Sequence, residues 1–205
     1  MTAVLYYFAN QYDAAEREFT LMHQESPQDM FAANYLALTL VELAKKSDGT
    51  KDLTKLNKAV QVAELNARLN QKSPVALATL AWVYFNADQL SQAAQIFAAF
   101  EQQPNMEISP DTAYYMARVY AALPPGQFPQ AFNRARELMS GVVKTTGGFK
   151  NRKDAEKYHE AWGGTLPPKP AATGAAPATS PSSATSPASG GSKPADAAPS
   201  NPENK

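Results

Sequence analysis

Small residues return along this chain at two alternating distances, and that rhythm restricts the fold more than any other feature. Ala3, Ala37, Ala81 and Ala117 form one series; Ala15, Ala59, Ala93 and Ala131 form the other. Read in chain order, the steps between the series are 12, 22, 22, 22, 12, 24 and 14 residues. A strict alternation of 12 and 22 closes a period of 34; four of the seven steps meet it, two are longer by two and one is longer by ten. The extra ten residues, KKSDGTKDLT from Lys45 to Thr54, have the composition of a loop, which is where a helical array tolerates insertions. Aromatics keep the same beat: Tyr6, Tyr84 and Tyr120 stand three residues after their alanines, and Phe19 and Phe97 four after theirs.

The stretch from Ser73 to Phe100 explains why the alanines matter. Leu77, Leu80, Ala81 and Tyr84 fall at i, i+3, i+4 and i+7, which is one face of an amphipathic helix. A break follows at Asn86-Ala87-Asp88, and a second face runs through Leu90, Ala93, Ala94, Phe97 and Phe100. Ser73 is a good N-cap, and Pro74 suits the first helical position, where its missing N–H costs nothing. A helical hairpin of this size cannot bury both faces alone. Small side chains at its crossing let a neighbouring hairpin approach; a larger one would cost roughly 1–3 kcal/mol in overpacking.

Leu77-x2-Leu80-Ala81-x2-Tyr84, followed by Ala93-x3-Phe97, resembles the tetratricopeptide pattern W-x2-L-G-x2-Y…A-x3-F, whose period is 34. The resemblance implies an all-α solenoid of helix-turn-helix repeats wound into a right-handed superhelix. The expected organisation is a partial first repeat over 1–26, with Pro27 at the turn. A second repeat spans 27–72 with its insertion at 45–54, a third 73–108 and a fourth 109–145. Ser109-Pro110-Asp111 opens the fourth with an N-cap, a proline and an acid favoured by the helix dipole. Gly147-Gly148 stops it, and a charged capping helix is expected over 149–162 with Ala155, Tyr158 and Trp162 inward. From Gly163 to Lys205 the chain is Pro-, Ala-, Ser- and Thr-rich, too poor in apolar side chains to offset ordering entropy, and is expected to be disordered.

Ala3 and Tyr6 occupy late positions of a first helix, so Met1 falls inside a repeat and Val4, Leu5, Tyr6, Tyr7 and Phe8 open the chain without a polar cap. Two expectations follow: this is the C-terminal part of a longer protein, or the edge is covered by another copy of the chain, a homodimer. A larger enzyme or envelope-assembly protein with its activity upstream belongs to the first case.

The formal net charge is zero, which argues against a nucleic acid or an anionic membrane as the main partner. With no cysteine there is no disulfide framework and no thiol chemistry. No apolar run reaches the length that spans a membrane, and no basic-then-apolar leader opens the sequence, so the cytoplasm is the default expectation. The two histidines, His23 and His159, lie in different elements with no metal-type spacing to carboxylates, and no Gly-rich loop follows a strand. No catalytic residue, cofactor or metal is expected. Lys144, Lys150, Arg152, Lys153 and Lys157 form a basic cluster interrupted by Asp154 and Glu156, which reads as a solvated cap.

In tetratricopeptide proteins the first helices line a concave groove that binds extended peptides or partner helices. The matching positions here are Val4, Tyr7 and Phe8, then Phe31, Asn34, Leu38 and Val41. Trp82, Phe85 and Asn86 follow in the third repeat, and Tyr114 and Arg118 in the fourth. Aromatics and arginine are the types enriched at interface hot spots. Some relatives of that family grip a terminal carboxylate with Lys and Asn. Here those places are mostly aromatic or aliphatic, so an apolar or aromatic-bearing protein or peptide segment fits better. The competing assignment puts Trp82 and Phe85 in the core between repeats, or against upstream repeats that curl over them. The expected function is a non-enzymatic scaffold or adaptor.

Overall fold

The structure is a computed structural model that describes residues 2–103, 107–126 and 128–166. The disordered segment expected over 163–205 lies outside the described residues from position 167 onward. Among the described residues the chain is all-helical: α1 (Thr2–Phe8), α2 (Tyr12–Glu25), α3 (Met30–Ala44), α4 (Leu53–Leu69), α5 (Pro74–Asn86), α6 (Leu90–Glu101), α7 (Pro110–Ala122), α8 (Ala131–Lys144) and α9 (Arg152–Ala161). Consecutive helices pair as hairpins, α1 with α2, α3 with α4, α5 with α6 and α7 with α8, and α9 packs on α8. Each even helix also touches the odd helix that follows it, and the odd helices touch in succession: α1 to α3, α3 to α5, α5 to α7. No helix among the described residues is long and apolar enough to cross a membrane.

Local chemistry sets the helix ends. Asp29 and Asp52 cap α3 and α4, each carboxylate accepting from two backbone N–H groups of the first turn. Ser73 and Ser109 cap α5 and α7 through the N–H groups of Ala76 and Thr112, with proline as the first helical residue in both. The first and third hairpins turn identically. Asn10 and Asp88 adopt left-handed backbone, with φ of 61° and 62°. At the first turn the N–H of Gln11 donates to the Tyr6 carbonyl and that of Asn10 to Tyr7; at the third, Gln89 donates to Tyr84 and Asp88 to Phe85. Both are Schellman closures, which satisfy the last helical carbonyls. Asn10 and Asp88 each stand seven residues after the small residue of their own first helix, Ala3 and Ala81.

The expected insertion is a loop, Lys45 to Asp52, closed by an isolated bridge between Lys45 and Lys51 with Gly49 left-handed at its tip. Its Lys51 ammonium donates to the Asn86 carbonyl at 2.8 Å and to Asp88 at 2.6 Å, tying the loop to the α5–α6 turn.

Ala3, Ala15, Ala37, Ala59, Ala81, Ala93 and Ala117 are all buried, most of them completely. Ala131 behaves differently: it is the first residue of α8 and only half-buried, while Ala135, one turn on, is fully buried with Met139 four residues further. Ala135–Met139 therefore repeats the arrangement of Ala15–Phe19 and Ala93–Phe97. The connection between α7 and α8 carries six residues beyond the ideal step rather than the two counted from the sequence.

Candidate functional site

Five of the twelve groove residues expected from the sequence meet at one cavity. Tyr7 and Phe8 reach it from α1, and Phe31, Asn34 and Leu38 from α3. The cavity holds about 270 Å³ and is closed by Val75, Ala78 and Thr79 of α5, by Asp111, Thr112 and Tyr115 of α7, and by Lys150 from the segment before α9. Its walls are chiefly aromatic and aliphatic. Tyr7 packs edge-on to Tyr35 at 5.3 Å between ring centres, and Phe31 tilts on Tyr35 at 4.8 Å. Phe8 and Phe31 remain exposed at 49% and 45%, so the rim presents apolar surface to solvent. Asn34 is buried rather than presented: its side-chain oxygen accepts from Asn66 at 2.8 Å, and Asn66 in turn accepts from Asn70.

Of the other seven, Val41 is buried in the hydrophobic core and Val4 is half-buried against it rather than lining a groove; the remaining five gather one hairpin further on and face different neighbours. Trp82 is only 5% exposed; it stacks on Tyr115 at 4.5 Å and on Phe85 at 5.4 Å and tilts against Tyr114 at 5.7 Å. Tyr114 is buried and donates its hydroxyl to Asp154 of α9. Arg118 donates to the same carboxylate at 3.0 Å and lies over the Tyr158 ring at 3.8 Å. Asn86 turns its amide back to the Trp82 carbonyl at 2.8 Å. This cluster ties α9 to α7 through Asp154 and Tyr158. Trp82 and Tyr114 bury their rings in it, as the competing assignment for Trp82 requires; Phe85, Asn86 and Arg118 stay half-exposed at its edge.

Two charges line the cavity, and their surroundings differ. The Lys150 ammonium donates to the Tyr7 carbonyl at 2.7 Å and to Asn10 Oδ1 at 2.5 Å, and sits over the Tyr7 and Tyr12 rings at 4.8 and 5.0 Å. Desolvation lowers its pKa, and Glu42 partly offsets that. Asp111 is half-buried, yet its Oδ1 is withdrawn from solvent and meets no donor among the described residues. Burial raises the Asp111 carboxyl above its ordinary value, with the nearby Asn151 side chain opposing. Burial also raises the phenols of Tyr7, Tyr35 and Tyr115, with the Asp111 charge adding to the effect on each.

A larger hollow of about 910 Å³ lies beside α8, lined by Arg136, Lys144, His159 and Trp162. It is wide-mouthed and includes none of the expected groove residues. No group of three or more potential metal ligands occurs among the described residues.

Sequence reasoning missed Tyr35, Thr79, Tyr115, Asp111 and Lys150 as cavity residues. Asp111 was legible only as a first-turn acid. Lys150 lies 143 residues from Tyr7, and no local pattern links them. No family model, no curated protein and no solved structure matches this chain.

Proposed function

We propose that this chain is a tetratricopeptide-like α-solenoid that works by binding, not catalysis, and holds a segment of a partner protein against its odd-numbered helices. The observation that carries the reading is the convergence of α1, α3, α5 and α7 on one apolar-walled cavity with an exposed aromatic rim. The hairpin order, the buried alanines and the twice-repeated Schellman turn support the solenoid. Phe8 and Phe31 are the rim anchors. An aromatic anchor buried by a partner contributes on the order of 2 kcal/mol, and zero net charge leaves little long-range steering. The test is selection of peptides from a random display library with the full chain as bait. Selected peptides should lose binding to a Phe31→Glu variant of intact helix content. A library that yields none, or peptides indifferent to that substitution, overturns the reading.

A second reading, self-association, draws on Leu5, Phe8 and Leu21, which stand 65%, 49% and 56% exposed on the first hairpin. Sedimentation over a wide concentration range tests it: a mass that stays monomeric removes it, and a dimer abolished by Leu21→Glu supports it.

A further inference from the structure

We propose that the cavity between α1, α3, α5 and α7 takes a basic side chain of the bound partner segment, with the Asp111 carboxylate as its counter-ion and the surrounding aromatic rings as its walls. This rests on the groove reading above and specifies what the groove selects. The two charges at the cavity are unequally satisfied. Lys150 already has two acceptors and two rings within reach, so it does not call for an anion. Asp111 is the reverse: its Oδ1 is shut away from water with no donor among the described residues to meet it, and the Asn151 side chain that favours the charged carboxylate is itself neutral, so the charge has no counter-ion there. A buried acceptor left open is costly, and a donor from outside removes that cost.

The walls favour the same class of ligand. Tyr7, Tyr35, Tyr115, Phe8 and Phe31 border the space. Aromatic faces attract cations, and the fold already uses this here by laying Lys150 over Tyr7 and Tyr12. An alkyl stem can lie along Leu38 and Val75 while its charged end reaches inward. At about 270 Å³ the space suits one long side chain rather than a whole peptide, which leaves the rim to hold the flanking residues.

The probes are two blocked pentapeptides, one with lysine between leucines and one with norleucine in its place, titrated against the full chain while backbone NMR shifts of cavity residues are followed. The lysine peptide should bind at least about ten-fold tighter, the scale of a charge-assisted hydrogen bond. In Asp111→Asn that preference should collapse to about two-fold or less, whereas Asp88→Asn, outside the cavity, should keep it. Equal affinity of the two peptides for the parent overturns the inference and leaves the groove reading standing. So does a preference that survives Asp111→Asn. Butylammonium binding as tightly as the lysine peptide overturns the assignment to a partner segment. If neither peptide shifts cavity resonances the inference falls, while library selection with Phe31→Glu still judges the groove on its own.

Discussion

The carboxyl of Asp111 stands where the fold alone has little use for it. As a first-turn acid it gains about 0.3–1 kcal/mol from the helix dipole, yet burial raises its pKa, so desolvation prevails. The folded state therefore holds the Asp111 proton more tightly than the unfolded chain. Its contribution to stability is most favourable at low pH, declines as pH rises from the ordinary carboxyl value toward the raised one, and stays reduced above that. Asp111→Asn does not titrate there. Thermal melts should show the variant gaining on the parent from acid to neutral pH, reaching about 1 kcal/mol, the low end for an unsatisfied buried group. A difference that stays flat with pH would mean the carboxyl is solvated. Trp82 is the opposite case. Fully packed between Phe85, Tyr114 and Tyr115, it should cost about 3–5 kcal/mol when cut to alanine, read from denaturant unfolding. Both outcomes show what a sequence reveals of a single residue. Helical spacing turned Trp82 off the alanine face and toward the groove, whereas the structure buries it, because which rings lie over it depends on α7, a hairpin away. Asp111 read as a dipole acid because its local neighbours were visible and Oδ1's lack of a donor was not.

Helix existence and order were legible because apolar spacing, caps and prolines are local signals; Ser73-Pro74 and Ser109-Pro110 begin helices as their chemistry requires. The fourth hairpin was less legible, since a beat of alanines counts residues and not turns. Ala131 kept the count closely enough, while the packed position went to Ala135 after a longer connection. The turns offer a sharper test of repetition. Asp88 holds φ of 62°, a conformation that costs a side-chain-bearing residue roughly 1–2 kcal/mol. Its ion pair with Lys51 is largely exposed and returns little. Asp88→Gly should therefore stabilise by up to about 1 kcal/mol, and Asp88→Val should destabilise by about 1–2 kcal/mol. Paired denaturation curves decide it; equal stabilities for both variants would remove the left-handed turn.

Over the whole molecule, the least legible contact joins the segment before α9 to α1 through Lys150, Tyr7 and Asn10. Basic residues after Gly148 read as a solvated cap because nothing local reports a partner that far back in the chain. Lys150→Met should lower hydrogen-exchange protection in α1 while leaving α7 and α8 unchanged, because only the first hairpin loses its tie. The tyrosines report on the same packing from inside. The phenols of Tyr7, Tyr114 and Tyr115 are all raised chiefly by burial, and those of Tyr12 and Tyr84 are pushed up to about 12. Each raised phenol favours the folded state only while neutral. That stability is whole below the unfolded value of about 10, and it drains away as pH rises through that value toward the folded ones. An alkaline titration should therefore show the last phenols ionising together with the collapse of the helical circular dichroism signal, as one cooperative event. If all nine tyrosines ionise while the helices persist, the rings of α1 and α7 are open to water, and the cavity between those helices does not exist as described.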